Sequence, residues 1–407
     1  MTDIAHLDRA DPLAPFRERF QLREGMIYLD GNSLGAAPKA TAGRLADVVG
    51  QEWGEGLITS WLGAEWSTAP QRIGDKIARL LGADPCEIVA TDSTSINIFK
   101  ALTAALSLRP DRSLILSETT NFPTDVYMMQ GIEAFSGGRV KAVTAAPDNV
   151  LGALTDDVAV LLLTQVHYKS GLVRDMAEVT RRAHEAGALV VWDLSHSAGA
   201  IPVDLNGANA DFAVGCGYKY LNGGPGAPAY LFAASRHHGA APVLSGWFGH
   251  ARPFDFEEDY DPAAGITRFL CGTPPVLGLS ALEVGVDLLL EADMAEVRRK
   301  SLALGDLFME AMEPLCGRYG FTLVSERDPA RRGSQVAYAH PHGYAIVQAL
   351  KEFDVVADFR TPDVLRFGLT PLYLRYADIA ETVRRIAAVC ETRAWDKPHY
   401  RQRAAVT

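Results

Sequence analysis

The stretch GYKYLNGGPG, residues 217–226, places one lysine, Lys219, between two tyrosines and ahead of a glycine-rich turn. It directly follows a short apolar run. A lysine enclosed in a pocket loses its proton more easily than an exposed one, and a neutral amine can form a Schiff base. Taken alone, the stretch fits an exposed lysine beside a loop equally well. The segments around it must decide between the two.

A carboxylate ends another apolar run upstream of this stretch. Residues 188–192 lead into Asp193, and His196 follows shortly after. A carboxylate at the carboxyl end of a buried strand faces the crevice in which α/β sheets bind ligands. A Schiff-base lysine and a carboxylate for the pyridine nitrogen are what pyridoxal phosphate requires of a protein. Considered separately, Asp193 also fits a turn or helix cap and His196 a packing histidine.

Hydroxyl side chains separate a short apolar run from a helical pattern at residues 91–95. Hydroxyls and free backbone N–H groups at a helix N-terminus form an anion site, where a cofactor phosphate could sit. An ordinary Ser or Thr helix cap explains the same residues, so both readings stay open.

Short apolar runs alternate with helix-period segments through the first two thirds of the chain. Continuous apolar runs are typical of strands buried on both faces of a parallel or mixed sheet. We therefore predict an α/β fold in layers, with helices over 96–106 and 176–186. The first helix should bury Ile96 with residues 99, 102, 103 and 106. Asp175 and Glu178 should cap the second, which Gly187 ends. The predicted strands are residues 88–90, 113–117, 158–163, 188–192, 212–214 and 230–232.

The pattern changes near residue 275. One long helix is predicted over 277–315, followed by a smaller α+β domain that closes the chain. Its strands should lie near 321–324, 335–339, 355–357 and 364–367, and its helices near 345–353 and 379–394. We predict an N-terminal segment (1–60) that packs on the small domain and the site, a large domain (61–275), and the linking helix with the small domain (276–407).

Composition excludes several classes of protein. The 407 residues are 48% hydrophobic and 22% charged, which is ordinary for a folded globular chain. The net charge of −11 disfavours general binding to nucleic acid. There is no apolar run of the roughly 20 residues that a membrane span needs, and no signal-peptide pattern. Five scattered cysteines indicate neither a zinc site nor a disulfide framework, so a cytoplasmic location is expected.

Several motifs together resemble one enzyme family. YLDGNSLG (28–35), FPTD (122–125) and GYKYLNGGPG (217–226) are similar to kynureninase, with support from GWFGH (246–250) and RFGLTPLY (366–373). The resemblance runs from about residue 27 to residue 394. It implies a fold-type I pyridoxal-phosphate enzyme of the aminotransferase class V group, with a mostly parallel sheet of the seven-stranded type and a smaller C-terminal domain.

The resemblance also assigns roles to residues. Lys219 would carry pyridoxal 5'-phosphate as a Schiff base, Asp193 would pair with its ring nitrogen, and Tyr218 would move protons. The other implied cofactor contacts are Thr94, Ser95, Phe122, Pro123, Thr124, Asp125, Thr164, His196, Trp247 and Thr273. Some family members carry asparagine at the position of Thr273. The resemblance does not say which subunit of a homodimer donates Trp247 and Thr273.

On the substrate side, Arg366 is the natural partner for an α-carboxylate because a guanidinium binds it through two parallel hydrogen bonds. Asn32 and Ser33 would close the same side, although turn chemistry explains them equally well. Trp53, Trp61 and Trp66 could pack against an aryl substrate, but we expect them in the protein's own core.

The implied reaction is the hydrolysis of L-kynurenine, and of its 3-hydroxy form, to anthranilate or 3-hydroxyanthranilate and L-alanine. The sequence does not separate the two substrates, nor tryptophan catabolism from NAD biosynthesis. One alternative is a cysteine desulfurase or selenocysteine lyase, which needs a reactive cysteine on a C-terminal loop; Cys271, Cys316 and Cys390 lack that context. The other is a catalytically inactive pyridoxal-phosphate-binding protein.

Overall fold

The computed structural model describes residues 3–401. Its helices are α1 (Ile4–Arg9), α2 (Ala40–Asp47), α3 (Ser60–Gly63), α4 (Ala69–Leu81), α5 (Thr94–Ser107), α6 (Pro123–Phe135), α7 (Met176–Glu185), α8 (Val276–Leu290), α9 (Met294–Tyr319), α10 (Gly343–Glu352) and α11 (Tyr376–Glu391). Its strands are β1 (Ile27–Tyr28), β2 (Ile88–Ala90), β3 (Leu114–Glu118), β4 (Lys141–Ala145), β5 (Val158–Thr164), β6 (Leu189–Asp193), β7 (Phe212–Gly215), β8 (Tyr230–Ala233), β9 (Thr322–Leu323), β10 (Gln335–Ala339), β11 (Val355–Val356), β12 (Asp358–Arg360) and β13 (Val364–Gly368).

A seven-stranded sheet forms the centre of the large domain, in the order β2-β8-β7-β6-β5-β3-β4. Strands β7, β6, β5, β3 and β4 run parallel, and β8 is antiparallel to both of its neighbours. All seven residues of β5 are buried, because helices cover both faces of the sheet. The predicted α/β fold with a mostly parallel central sheet is confirmed.

Strand β4 was not predicted. It lies at the edge of the sheet, beside β3, and its five residues are exposed or half-buried. An edge strand with one solvated face shows no continuous apolar run, so the sequence signal that identified the inner strands is missing there.

Helix α5 begins at Thr94, where the Ser93 hydroxyl caps it, and its buried face matches the predicted one only in part. Leu102 and Thr103 are buried as predicted, whereas Ile96 is exposed and the buried side also contains Ile98, Ala101 and Ala105. The helix is apolar almost all round, so periodicity alone could not define which face would be buried.

Helix α7 follows its predicted signals closely. The Asp175 carboxylate accepts a hydrogen bond of 3.0 Å from the Glu178 N–H, and Gly187 adopts a positive φ of 78° just after the helix. That left-handed conformation favours glycine and turns the chain into β6.

The single long helix predicted over 277–315 is wrong. Helix α8 ends at Leu290 and α9 starts at Met294, with the Asp293 carboxylate accepting a hydrogen bond of 2.8 Å from the Ala295 N–H. The capping aspartate marks the start of a second helix, although no glycine or proline separates the two helices.

The C-terminal part forms an antiparallel sheet in the order β12-β13-β10-β9. Strand β12 was not predicted. Its sequence, Asp358–Arg360, alternates charged and aromatic residues in a way that short apolar runs do not reveal.

The N-terminal segment lies against this smaller sheet and its helices. Strand β1 pairs in parallel with β11. The buried Lys300 ammonium on α9 pairs with Asp11 at 2.6 Å, and Asp8 accepts a hydrogen bond of 2.7 Å from the Tyr376 N–H at the start of α11. These contacts position the loop at 30–35 for the site.

The proposed boundaries at residues 60 and 275 stay predictions, and residues 1–2 and 402–407 lie outside the described part. Within that part, no helix is both long and apolar enough to cross a membrane.

Candidate active site

Three parallel strands of the large sheet end side by side. In the sheet register, Thr164 at the end of β5 pairs with Asp193 at the end of β6, and Asp193 pairs with Val214 on β7. The loop that carries Lys219 follows β7. The carboxyl edge of the sheet thus gathers Thr164, Asp193 and Lys219 at the place where α/β sheets bind ligands.

Lys219 is buried between aromatic rings. Its Nζ lies 5.8 Å from the centroid of the Phe122 ring and 5.7 Å from that of the Tyr218 ring. The backbone of this loop is held on two sides. The Asn222 N–H donates to the Lys219 carbonyl oxygen at 2.9 Å, and the Gly35 N–H donates to the Tyr218 carbonyl oxygen at 2.7 Å.

Asp193 is buried, and its Oδ1 accepts hydrogen bonds from the Ser195 N–H at 2.8 Å and the Ser195 hydroxyl at 2.6 Å. Burial raises the pKa of Asp193, while the hydrogen bonds from Ser195 and the charge of Lys219 oppose that rise. These opposing influences describe a carboxylate whose remaining oxygen is available to a positively charged N–H. The sequence did not single out Ser195.

Other polar atoms around this edge are buried without a protein partner. Among residues 3–401, no hydrogen bond reaches Thr164 Oγ1, His196 Nε2 or the Tyr230 hydroxyl. The pKa of His196 is lowered well below its usual value, first by burial and then by the charges of Lys219 and Arg366. Buried polar atoms are normally satisfied, so these three point to a polar ligand.

Helix α6 presents two of the predicted residues. Phe122 caps the helix and its ring meets Tyr168 edge-on at 5.2 Å, while Asp125 lies fully buried in the first turn. Burial, and then the negative charge of Asp193, raise the pKa of Asp125 well above its usual value. Two carboxyls that share one enclosed region cannot both ionise at low cost. Thr124 is half-buried in the same turn, whereas Pro123 is exposed.

Thr94 and Ser95, the predicted phosphate contacts, are the first two residues of α5 and are half-buried. The turn before them is held by a lysine that the sequence analysis did not identify. The fully buried Lys100 ammonium pairs with Asp92, which has a positive φ of 48°, and donates to the Phe269 carbonyl oxygen at 2.5 Å. The sequence did contain a signal for this lysine, because a charged side chain within the apolar face of a helix needs a buried partner.

Tyr218 is half-buried beside Lys219. Burial and the nearby Cys216 raise the pKa of its hydroxyl above the ordinary value. Burial and Cys216 thus favour the protonated form of the hydroxyl, which can donate a hydrogen bond.

Ser33 and Arg366, two residues predicted on the substrate side, contact each other. The Ser33 hydroxyl donates to Asp358 Oδ2 at 2.6 Å and accepts from Arg366 Nη2 at 3.1 Å. Arg366 Nε also donates to Asp358 Oδ1 at 2.8 Å. Arg366 is therefore not a surface arginine. Asp358 and its neighbour Arg360 were missed because they lie on the unpredicted strand β12.

Asn32 is completely buried in the same loop. Its amide donates to Gln335 Oε1 at 3.3 Å, and its Oδ1 occupies the space that a Cβ on Gly368 would need. The glycine of RFGLTPLY and the asparagine of YLDGNSLG thus pack together, which explains why both motifs are needed in one fold.

Trp247 and Thr273 stay predictions as cofactor contacts. Trp247 packs in an aromatic cluster with Trp61, 6.1 Å between ring centroids, and Thr273 is exposed. The expectation that the three early tryptophans pack in the core is wrong for Trp53, which is exposed because it borders a shallow apolar groove rather than the interior.

The residues at the sheet edge fit pyridoxal phosphate. The cofactor requires an enclosed amine and a buried carboxylate, and this edge supplies both. It also supplies an aromatic ring and buried hydroxyl and imidazole atoms that have no protein partner. This match depends on chemistry that is visible in the chain itself, before any comparison with other proteins.

Solved structures with this fold include the cysteine desulfurase CsdA from Escherichia coli, with a TM-score of 0.77, 22% identity, and coverage of 93% of this chain and 98% of that one. A mutant of C-DES with glycine covalently linked to its PLP cofactor gives a TM-score of 0.78 at 19% identity, covering 91% and 98%. The fold is therefore that of fold-type I enzymes.

Closer relatives come from sequence. Residues 297–386 match the family model described as the kynureninase C-terminal domain. The kynureninase of Burkholderia pseudomallei (strain K96243) is 49% identical over 407 residues, covering 98% of both chains. That of Pseudomonas fluorescens is 46% identical over 411 residues, covering 100% of this chain and 99% of its own.

Fold and site together define a pyridoxal-phosphate-dependent enzyme of fold type I. The relatives that match it from end to end share one name. The chain belongs to the kynureninase family.

One prediction concerns the contact between the N-terminal loop and the lysine loop. A Cβ at Gly35 would overlap the Lys219 carbonyl oxygen and the Asn222 side chain. We expect Gly35→Ala to destabilise the protein by about 1–3 kcal/mol and to weaken cofactor binding, measured by urea unfolding and by titration with pyridoxal phosphate.

Gly43→Ala is the matched control. It lies in α2 with no atom near the added Cβ, so alanine should leave cofactor affinity unchanged and stabilise the helix slightly. Equal behaviour of the two variants would show that the contact at Gly35 does not position Lys219.

Proposed function

We propose that this chain binds pyridoxal phosphate at Lys219 and hydrolyses L-kynurenine to anthranilate and L-alanine. The observation that carries the proposal is the buried Lys219 beside Asp193 at the carboxyl edge of the sheet, in a chain that matches kynureninases over its whole length. Geometry supports the cofactor and amino-acid chemistry, and the family supports the choice of substrate.

When bound to Lys219, pyridoxal phosphate supplies an electron sink for the Cα–H bond of an amino acid. Asp193, held by Ser195, would keep the pyridine nitrogen protonated, and Phe122 would pack against the cofactor. Lys219 would serve as the base for the Cα proton. Thr94 and Ser95 would offer the N-terminus of α5 to the phosphate. His196 and Thr164 would add unpaired polar atoms near the same edge of the sheet.

Tyr218 is the proposed proton donor to the substrate's carbonyl oxygen as water attacks the carbonyl carbon. Its ring lies 5.7 Å from Lys219 Nζ, so its hydroxyl could donate to that oxygen and recover a proton from water. Arg366, with Ser33 and Asn32, forms the side that receives the substrate's α-carboxylate.

The desulfurase alternative lacks a suitable thiol. Cys271 donates to the Leu244 carbonyl oxygen at 3.1 Å, Cys316 lies within α9, and Cys390 is buried in α11, where burial raises the pKa of its thiol to about 12. A reactive thiolate needs a lowered pKa and access. The alternative of an inactive binding protein is disfavoured by the complete set of Lys219, Asp193 and Arg366.

The direct test adds L-kynurenine to the purified holoenzyme and follows anthranilate fluorescence. We expect anthranilate and L-alanine in equal amounts, and Lys219→Ala should abolish both the visible cofactor band and the product. Lys351→Ala, which alters an exposed lysine hydrogen-bonded to Gln348 on α10, is the control. A normal cofactor band in an enzyme that forms no anthranilate would refute the substrate assignment.

We further propose a homodimer that completes the site. The side chains of Ile58, Leu62 and Phe256 are exposed by 74%, 81% and 73%, and they surround a groove that also contains Trp61 and Trp247. Apolar surface of this kind marks an interface. Trp247 and Thr273 of one subunit would then reach the cofactor of the other, and Trp247 lies in this groove.

Disrupting this patch should separate the subunits and weaken the binding of pyridoxal phosphate. We expect Leu62→Glu to shift the mass measured by light scattering to that of a monomer and to lower the affinity for pyridoxal phosphate. Phe135→Glu, equally exposed but outside the groove, should change neither. A dimer that survives Leu62→Glu with normal cofactor affinity would contradict the proposed interface.

The remaining expectations belong to the same proposal. Five free cysteines support a reducing, cytoplasmic location. We propose a role in tryptophan catabolism or NAD biosynthesis, activity on 3-hydroxy-L-kynurenine as well, and a division of the chain at residues 60 and 275. Trials of both substrates with the same preparation would rank them.

A further inference from the structure

Two arginines converge on one carboxylate beside the site. Arg366 donates to Asp358 from Nε at 2.8 Å and also from Nη2. Arg360 Nη2 lies 2.8 Å from Asp358 Oδ2. Ser33 Oγ, at 3.1 Å from Arg366 and 3.4 Å from Arg360, links the pair.

The two arginines differ in how far each is neutralised. Arg366 and Asp358 are each 1% exposed and face each other through two hydrogen bonds, and Arg366 Nη1 donates to the Tyr168 carbonyl oxygen. The Arg366 guanidinium is therefore largely committed to the protein. Arg360 is 31% exposed and shares only one oxygen of that carboxylate, so its charge is less fully balanced.

The arginine pair is joined to the surroundings of Lys219 through Tyr168, whose carbonyl oxygen accepts from Arg366 and whose ring meets Phe122 at 5.2 Å. The charge of Arg360 acts on the same region. It lowers the pKa of His196, together with Lys219 and Arg366, and it opposes the rise in the pKa of Tyr218. Asp30 completes the cluster: burial and the charge of Asp358 raise its pKa to about 6, and both arginines counter that rise. The guanidiniums of Arg360 and Arg366 thus face the carboxyls of Asp30 and Asp358, and Asp30 is the one with the raised pKa.

We propose that Arg360 supplies the second guanidinium of the substrate's α-carboxylate site, because Asp358 neutralises Arg366 more fully than it neutralises Arg360. Arg360 is the more exposed of the two arginines, and Asp358 contacts both. The inference deepens the proposed function, on which it rests for an amino-acid substrate, and it adds a residue that the motifs did not identify. A charged, partly desolvated hydrogen bond to a carboxylate is among the stronger polar contacts.

The test compares a ligand that has the carboxylate with one that lacks it. Binding of L-alanine and of kynuramine, the decarboxylated relative of kynurenine, is measured by absorbance titration of the holoenzyme. Arg360→Gln should raise the Kd of L-alanine by about 10- to 100-fold and leave that of kynuramine within about twofold. Arg360→Lys, which keeps the charge and loses the fork, should fall between wild type and Arg360→Gln.

Arg384→Gln is the matched control, because Arg384 is an exposed arginine on α11 paired with Glu381. It should change neither Kd. An unchanged Kd for L-alanine in Arg360→Gln, or an equal loss for both ligands, would overturn the proposal. If Arg360→Gln does not fold, the same selectivity must appear in Arg360→Lys, and its absence there would overturn the proposal too.

Failure of this inference and failure of the proposed function are distinguishable. The L-alanine titration requires no turnover, so it decides the role of Arg360 even if L-kynurenine is not hydrolysed. Conversely, anthranilate release by wild type would stand whatever Arg360 does to binding.

Discussion

The burial of Lys219 and Asp193 at one edge of the large sheet is the constraint on which the site depends. A polar or charged side chain that is buried needs compensation for its lost solvation. Ser195 compensates Asp193 with two hydrogen bonds, and the loop of Lys219 is held through its own backbone. The parallel strands β5, β6 and β7 make this arrangement possible, because they end at one edge and place both residues there.

A second charge cluster, around Asp358, belongs to the smaller sheet. The N-terminal loop at 30–35 touches both clusters: the Gly35 N–H binds the loop of Lys219, and the Ser33 hydroxyl binds Asp358. The loop itself is anchored to the small domain through β1. One short segment, which contains YLDGNSLG, therefore links the loop of Lys219 to the Asp358 cluster.

Much of this arrangement was predictable from sequence, for physical reasons that also explain the failures. Inner strands such as β5 are buried on both faces and show continuous apolar runs, so they were found; the edge strands β4 and β12 were not. Lys219 stood out through its neighbours, and Asp193 through its place at the end of an apolar run. Lys100 and Arg360 were missed because their role depends on partners distant in sequence, Phe269 and Ser33, that only the folded chain brings near.

The most direct test of the central claim is to reduce the holoenzyme with borohydride, digest it, and locate the pyridoxyl group by mass spectrometry. Reduction makes the bond between cofactor and lysine permanent, so the modified peptide identifies the amine that carries it. The modification is predicted on Lys219, in the peptide that contains GYKYLNGGPG. Modification of another lysine, such as Lys100 or Lys169, with Lys219 unmodified, would contradict the assignment of the site.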